Sequence, residues 1–287
     1  MIGIIQCKKK RKTVVQYPHM ISEQQIFKFQ QHILDWYAHN QRDLPWRRTR
    51  DPYHILLSEV MLQQTQVQRV MPKFEAWLKR FPTILSVAHA SVADVLALWS
   101  GLGYNRRVLN FKKTAETICT QYNGIFPKTE KELLSLPGIG LYTARAVLCF
   151  AFNQQVAVVD TNVRKVILTQ VKGEEKDMQQ IAEQLLPAGR AYEWNQALMD
   201  YSSAMLKEHK IPIPKQSRFI GSHRYYRGRV LKALLKTKLL SINDIGRLIK
   251  EDYANTNEEK VWLQNLLQAL SREGFIVING DLLTLVS

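Results

Sequence analysis

The sequence predicts an all-α protein that ends in a small winged-helix-like α+β domain. Three observations carry that expectation. From Ser22 to Leu206 apolar residues recur at helical spacing, interrupted by short polar or Gly/Pro-containing turns. In the middle, KELLSLPGIGLYTARAVLCFAFNQQVAVVDTNVRK, residues 131–165, sets a tight turn between two helices. In residues 218–287, three helical patterns precede two apolar runs joined by Asn279-Gly280, a favourable hairpin pair.

The elements follow in order. Residues 1–20 are a basic arm, Lys8-Lys9-Lys10-Arg11-Lys12 and then Pro18, which reads as solvated. Ser22 can cap a first helix running to Ala38, with Ile26, Phe29, Ile33, Leu34, Trp36 and Tyr37 on its apolar side. Residues 40–53, with two prolines and a basic run, form a loop. His54 to Phe74 reads as a helix broken near Gln63–Thr65. Glu59 lies within it among Leu56, Leu57, Val60, Met61 and Leu62. A carboxyl so placed is either satisfied by a local partner or held protonated in a pocket, where burial raises its pKa toward neutrality. Gln63, Gln64 and Thr65 put polar groups where the helix should stay apolar, which suits an exposed edge able to touch bases.

After Pro82 come helices at Ile84–Ala88, Val92–Trp99 and Arg106–Gln121, with the turn Gly101-Leu102-Gly103-Tyr104 before the last. Tyr104 either packs or wedges into a base stack. In Leu136-Pro137-Gly138-Ile139-Gly140 the proline limits the helix that ends at Ser135, and the glycines tolerate left-handed or closely approached backbone. A helix restarts over Thr143–Phe152, so the turn offers N–H groups at a helix mouth, which suits a phosphate. The same turn also serves as a plain αα-hairpin. Val156–Val159 then delivers Asp160 to a helix at Thr161–Leu168. Further helices span Asp177–Leu186 and Tyr192–Leu206, with Trp194, Leu198, Met199, Met205 and Leu206 as core. Residues 207–217 read as a linker. Residues 218–238 hold seven basic side chains (Arg218, Arg224, Arg227, Arg229, Lys232, Lys236, Lys238) and no acidic one. Helices at Arg229–Leu240, Ile242–Asp252 and Glu258–Glu273, then the hairpin of 275–278 and 282–285, complete a winged-helix pattern. Such domains bind either DNA or protein.

Forty Lys and Arg against 25 Asp and Glu give a formal net charge of +15 and an isoelectric point near 9.7. That balance favours a polyanionic partner. No run reaches membrane-spanning length, and no apolar segment follows the basic N-terminus as a secretory signal would require. The three cysteines, Cys7, Cys119 and Cys149, are far apart and make neither a disulfide framework nor a four-thiolate cluster. A cytoplasmic, nucleoid-associated monomer with nucleic acid as its partner and no membrane partner is the expectation.

DLPWR, SEVMLQQTQV, LWSGLGY, FP, LPGIG-x-YTA, VVDTNVRKV and NQALMD fall in an order and spacing that resembles the helix-hairpin-helix base-excision DNA glycosylases, and among them the adenine DNA glycosylases. The resemblance covers Leu44 to Asp200. It implies the helix-hairpin-helix glycosylase fold: residues 21–206 in two helical lobes, a six-helix lobe at about 44–155 and a second from 21–43 plus 156–206; the winged-helix-like domain at 218–287 lies outside it. It implies a monofunctional enzyme of base excision repair that hydrolyses the N-glycosidic bond of adenine mispaired with 8-oxoguanine or guanine. Its partner would be double-stranded DNA that contains a mismatch or oxidised base.

The resemblance also assigns roles. Glu59 matches the acid that protonates the extruded adenine at N7 and later handles water. Asp160 matches the carboxylate, expected to stay ionised, that stabilises the sugar cation, and Asn162 the residue that supports these carboxylates. Tyr142 stands where bifunctional relatives carry a lysine nucleophile. Trp46, Leu62 and Gln196 resemble pocket residues around the flipped base. Gln64 resembles a residue that enters the helix with its neighbours Gln63 and Thr65, and Tyr104 the wedge facing the opposite base. Pro137, Gly138, Ile139 and Gly140 match the hairpin that grips backbone phosphate, where a monovalent or calcium ion sits on turn carbonyls. No other cofactor is expected.

Two departures stand out. Relatives continue into four cysteines that hold an iron–sulfur cluster, whereas this chain has Leu206 at about the first of those positions and no cysteine after Cys149. Iron–sulfur ligands are therefore not expected, and packing of Trp194, Met205 and Ile211–Pro214 is expected to hold the region. The usual 8-oxoguanine-surveying domain is replaced by a shorter one opening FIGSHRYYRGR. There Ser222 and His223 are candidates for opposite-base recognition, and Arg224, Arg227 and Arg229 for DNA binding. Two other readings stay open: a thymine or uracil mismatch glycosylase of the same fold, and a non-catalytic DNA-binding protein.

Overall fold

The computed structural model describes residues 22–171, 175–208 and 218–286. The basic arm, most of the linker and the expected packing of Ile211–Pro214 lie outside these residues, as does Cys7. Helix α1 (Glu23–Asn40) starts at Ser22 with a capping box shared with Gln25 and buries Ile33, Leu34 and Tyr37. A short turn at Pro45–Arg47 leads to α2 (Pro52–Leu62), capped by Asp51, and then α3 (Val67–Arg80). The expected break is real: the chain stops being helical at Gln63 and restarts after Gln66. Next come α4 (Ile84–Ala88), α5 (Val92–Trp99), α6 (Arg106–Gln121), α7 (Glu130–Leu134) and α8 (Leu141–Phe150). Helix α9 (Thr161–Val166) ends in a π-helical turn at Ile167–Val171, and α10 (Met178–Gln184) and α11 (Ala191–Met205) follow.

These helices form two lobes. In one, α2 packs on α3, α6 and α8, α4 and α5 lie against α6, and α7 folds onto α8. Its centre is aromatic: Trp77 meets Trp99 edge to face at 5.9 Å, Phe111 at 5.9 Å and Phe81 at 5.1 Å. The Trp77 indole N–H donates to the Tyr53 hydroxyl, which donates to the Phe81 carbonyl, so the buried polar atoms are satisfied. In the other lobe, α1 and α9 both pack on α11. Asn195 on α11 accepts from the Val158 N–H and donates to the carbonyls of Val156 and Ala191, which fixes the extended segment that leads to Asp160.

The C-terminal domain runs α12 (His223–Thr237), β1 (Leu239–Ser241), α13 (Ile242–Ile249), α14 (Asn257–Arg272), β2 (Ile276–Asn279) and β3 (Leu282–Leu285). The sheet is antiparallel with β3 central, in the order β1-β3-β2, and Leu240 pairs with Leu283. The winged-helix-like pattern stands, with two corrections. Helix α12 begins at His223 rather than Arg229, because Ser222 caps it by accepting from the Tyr225 N–H. Residues 239–241 are a third strand rather than the end of that helix.

A third correction concerns α11. Met205 is 55% exposed and contributes no core, while Leu206 is only 3% exposed and is buried against the second lobe. An apolar side chain thus fills the place where the resemblance puts the first cluster cysteine.

Candidate active site

The site is assembled by three helix ends. Helix α2 buries Glu59 on its inward face. The N-terminus of α8 supplies Tyr142. Asp160 caps α9 and is therefore held at a fixed angle by the helix it starts. Glu59, Tyr142, Asp160 and Asn162 line one cavity of about 650 Å³ with Trp46, Leu62, Gln63, Gln64, Thr65 and Gln196. That volume is within the range of about 300–1,000 Å³ common for ligand sites. Residues expected separately for catalysis, for the base pocket and for the Gln63–Thr65 edge are thus brought together.

The two carboxyls differ. Glu59, 6% exposed, accepts a hydrogen bond at Oε2 from the Tyr142 hydroxyl at 2.6 Å. Burial pushes its pKa up to about 7; the Tyr142 hydrogen bond and Arg47 pull down, while the charge of Asp160 adds to the rise. Burial also lifts the Tyr142 phenol, keeping it a donor. Asp160 receives N–H groups at both oxygens, Oδ1 from the Val163 backbone at 2.7 Å and Oδ2 from the Asn162 amide at 2.8 Å. Its pKa is also raised, because burial outweighs these hydrogen bonds. The donors at both oxygens nevertheless favour its anion over its acid, whereas Glu59 is poised to hold a proton.

Sequence reasoning missed a charged network that reaches this pocket through Arg42 and Arg47. Asp200, buried on α11, is held by Arg47 in two parallel hydrogen bonds of 2.7 and 2.8 Å and by Arg42 through its N–H at 2.9 Å and its guanidinium at 2.6 Å. Burial alone would lift the Asp200 carboxyl, but Arg47 and Arg42 hold it below the usual range. Both partners were visible in the motifs, Arg47 in DLPWR and Asp200 in NQALMD. A run of polar residues on a helix spaced like core, Asn195, Gln196, Asp200 and Ser202, was the available signal. Lys165, the nearest lysine after Asp160 in the chain, donates to the Leu206 carbonyl at 3.2 Å, which turns its amine to the end of α11.

The hairpin is rigid for a visible reason. Gly138 has φ +75°, and a Cβ there would come within 2.6 Å of the Asn110 side chain. The Pro137 carbonyl accepts from the Thr114 hydroxyl at 2.8 Å, and the Ile139 N–H closes the turn onto Leu136 at 3.2 Å. No side chain caps α8 at Gly140, so its first-turn N–H groups are left for an external acceptor.

A second cavity, of about 940 Å³, separates the Gly103–Tyr104 turn from α12 and α14 and is lined by Tyr104, Phe219, His223, Arg224 and Arg227 among others. Tyr104, 41% exposed with φ +47°, stands at its edge. The Ser222 hydroxyl is engaged in the α12 cap and donates to the Phe219 carbonyl at 2.6 Å. Two of the three arginines expected to grip DNA have partners within the domain. Arg227 pairs with Glu273 at 2.7 Å, and Arg229 donates to the Tyr225 hydroxyl and the Leu248 carbonyl at 2.9 and 2.8 Å. Both side chains thus take part in the packing of the domain.

Comparison with known proteins agrees with this geometry. Residues 57–188 match the family model described as HhH-GPD superfamily base excision DNA repair protein. The chain is 44% identical over 180 residues to the adenine DNA glycosylase of Mycolicibacterium smegmatis, covering 60% of this chain and 61% of that one. It is 37% identical over 199 residues to the Homo sapiens adenine DNA glycosylase, covering 63% of this chain and 36% of that one. It therefore spans less than two thirds of the length of these curated relatives. Among solved structures, a thermostable thymine-DNA glycosylase superposes with a TM-score of 0.61 at 30% identity, covering 64% of this chain and 89% of that one. An endonuclease III–DNA complex shares the fold with a TM-score of 0.59 at 19% identity, covering 67% of this chain and 90% of that one. With its motifs gathered round one cavity and that likeness extending along nearly the whole of a solved glycosylase, the chain belongs to the HhH-GPD superfamily of base excision DNA repair proteins.

Proposed function

We propose that the protein is a monofunctional DNA glycosylase that removes adenine mispaired with 8-oxoguanine or guanine. The observation that carries this reading is the unequal pair of carboxyls in one cavity: Glu59 with a pKa near 7, and Asp160 held by N–H donors at both oxygens. A stacked base is out of reach, so the nucleotide must be extruded into the cavity at a cost of a few kcal/mol. Protonated Glu59 gives its proton to N7 of adenine. The C1′–N9 bond then breaks, and its electron pair leaves with the base. The Asp160 carboxylate, supported by Asn162, faces the sugar cation that forms. Glu59, now ionised, takes a proton from the water that adds to C1′ and is ready for another cycle. Tyr142 holds the acid in place and has no amine, so no Schiff base forms and the phosphodiester stays intact. Trp46, Leu62 and Gln196 surround the base, and Gln196 offers its amide to the base edge.

The uncapped N-terminus of α8 at the Pro137–Gly140 hairpin would take a backbone phosphate, and its turn carbonyls a monovalent or calcium ion. Leu136 and Pro137 already accept one hydrogen bond each, leaving a second lone pair on each oxygen. The net charge of +15 supports duplex DNA as the partner. Among the described residues no helix is long and apolar enough to cross a membrane. A monomer working at the cytoplasmic nucleoid fits these features. The strand opposite the target would run along the second cavity past Tyr104 and His223, with Arg224 at its edge.

The likeness to a solved thymine-DNA glycosylase favours a second reading, with thymine or uracil opposite guanine as substrate. A panel of duplexes carrying adenine, thymine or uracil opposite 8-oxoguanine or guanine, incubated with enzyme and then cleaved by alkali, separates them. Adenine release supports the first reading and thymine or uracil release the second. No release from any duplex would leave a DNA-binding protein without glycosylase activity.

A further inference from the structure

We propose that Arg107 is a positioning residue for base extrusion: it locks the Gln63–Thr65 loop to the Gly101–Tyr104 turn, so that Gln64 and Tyr104 enter the duplex as one unit. This rests on the glycosylase reading above.

Arg107 is the second residue of α6. Its Nη1 donates to the carbonyls of Val60, Met61 and Gln63 at 2.8, 3.0 and 2.6 Å, and its Nη2 to the Thr65 hydroxyl and the carbonyls of Leu102 and Gly103 at 3.1, 3.2 and 3.1 Å. One guanidinium thus ties two loops that are distant in sequence. The Val60 and Met61 carbonyls belong to the last turn of α2, where helical acceptors lack partners and a cation is favoured.

The arrangement is costly for an ordinary packing residue. Burial draws the Arg107 pKa down to about 10, and among the described residues no carboxylate acts on it. Its charge is met by neutral oxygens and by the faces of Trp99 and Tyr104, with ring centroids at 5.1 and 5.6 Å. Both joined segments carry a non-glycine residue in left-handed backbone, Gln64 at φ +55° and Tyr104 at φ +47°. Such conformations cost on the order of 1–3 kcal/mol each and persist only where the surroundings impose them. Arg107 provides that constraint. The polyanionic duplex in turn supplies the counter-charge that the site lacks. Lysine cannot replace it, because a single ammonium does not span two loops as a planar fork does.

Arg107→Lys in the full-length protein provides the test, with circular dichroism confirming its fold. Arg107→Met serves as the second variant. Two readouts are needed: the fluorescence rise of 2-aminopurine placed at the target position, and single-turnover adenine release from two duplexes. One duplex has a stacked adenine opposite guanine, and the other an adenine opposite an abasic spacer, already loosened. On the stacked duplex the variant should lose the fluorescence rise and release adenine about 100-fold more slowly, the penalty expected for small misplacements. On the loosened duplex most of that defect should disappear. Equal loss on both duplexes would overturn the proposal, since a damaged fold or a displaced Glu59 affects them alike, and so would unchanged rates. If wild-type protein releases no adenine, the glycosylase reading fails. The fluorescence rise, compared between wild type and Arg107→Lys, then still decides the role of Arg107.

Discussion

Glu59 carries strain that can be measured apart from catalysis. Its pKa is about 7 in the folded protein against an ordinary 4.5, because burial disfavours its charge. The folded state therefore holds the proton more tightly than the unfolded state between those values, and stability is lost as pH rises through that window. Above pH 7 the cost is on the order of 3 kcal/mol. Glu59→Gln keeps an acceptor for the Tyr142 hydroxyl and removes the charge, so it should melt above wild type at pH 8, with the gap closing by pH 4. A lower melting temperature for the variant at pH 8 would show that the carboxylate is better solvated than the geometry implies. Wild-type base release should decline as pH rises past about 7, where the acid loses its proton. Asp200 is the opposite case, a buried carboxylate matched by Arg47 and Arg42. Asp200→Ala leaves Arg47 buried without its partner and should cost about 3–5 kcal/mol in denaturant unfolding; a loss under 1 kcal/mol would contradict that reading.

At the scale of elements, the hairpin depends on one position. Gly138→Ala would place a methyl in left-handed backbone and against Asn110. It should weaken duplex binding and lower the salt dependence of binding by roughly 0.9 in log–log slope if one phosphate contact is lost. Unchanged affinity would remove the hairpin from the DNA interface. Local elements of this kind were legible in the sequence because their signals are local: the Ser22 cap, the break at Gln63–Thr65 and the helices at Ile84–Ala88, Val92–Trp99 and Arg106–Gln121 all stand where spacing puts them. Strand β1 was not legible. Three residues, Leu239–Ser241, continue an apolar helical pattern, and their partner β3 lies about forty residues later. Helix α12 begins at its Ser222 cap, ahead of the expected Arg229, and runs through Gly228, a residue that weakens a helical pattern. Among the candidate site residues Glu59 stood out from its apolar neighbours, whereas Tyr142, Asn162 and Gln196 were legible only through motifs that resemble a family. The Arg47–Asp200 pair and the fan of Arg107 hydrogen bonds are contacts between distant segments, and no local pattern announces them.

The whole molecule is a two-lobed helical body whose C-terminal domain faces the turn that carries Tyr104. Within that domain Arg227 is tied to α14 through Glu273. Arg227→Ala breaks a half-buried ion pair with Glu273 and should lower the melting temperature with little change in salt dependence. An unchanged melting temperature would contradict that reading. The central claim is that one buried acid and one anchored anion in the same cavity remove adenine. Single-turnover release from an adenine–8-oxoguanine duplex, measured with excess enzyme for wild type, Glu59→Gln and Asp160→Asn, tests it most directly. The account predicts free adenine and an alkali-labile, otherwise intact strand from wild type, with release slowed by orders of magnitude in both variants while duplex binding persists. Adenine release by either variant at near wild-type rate would contradict it.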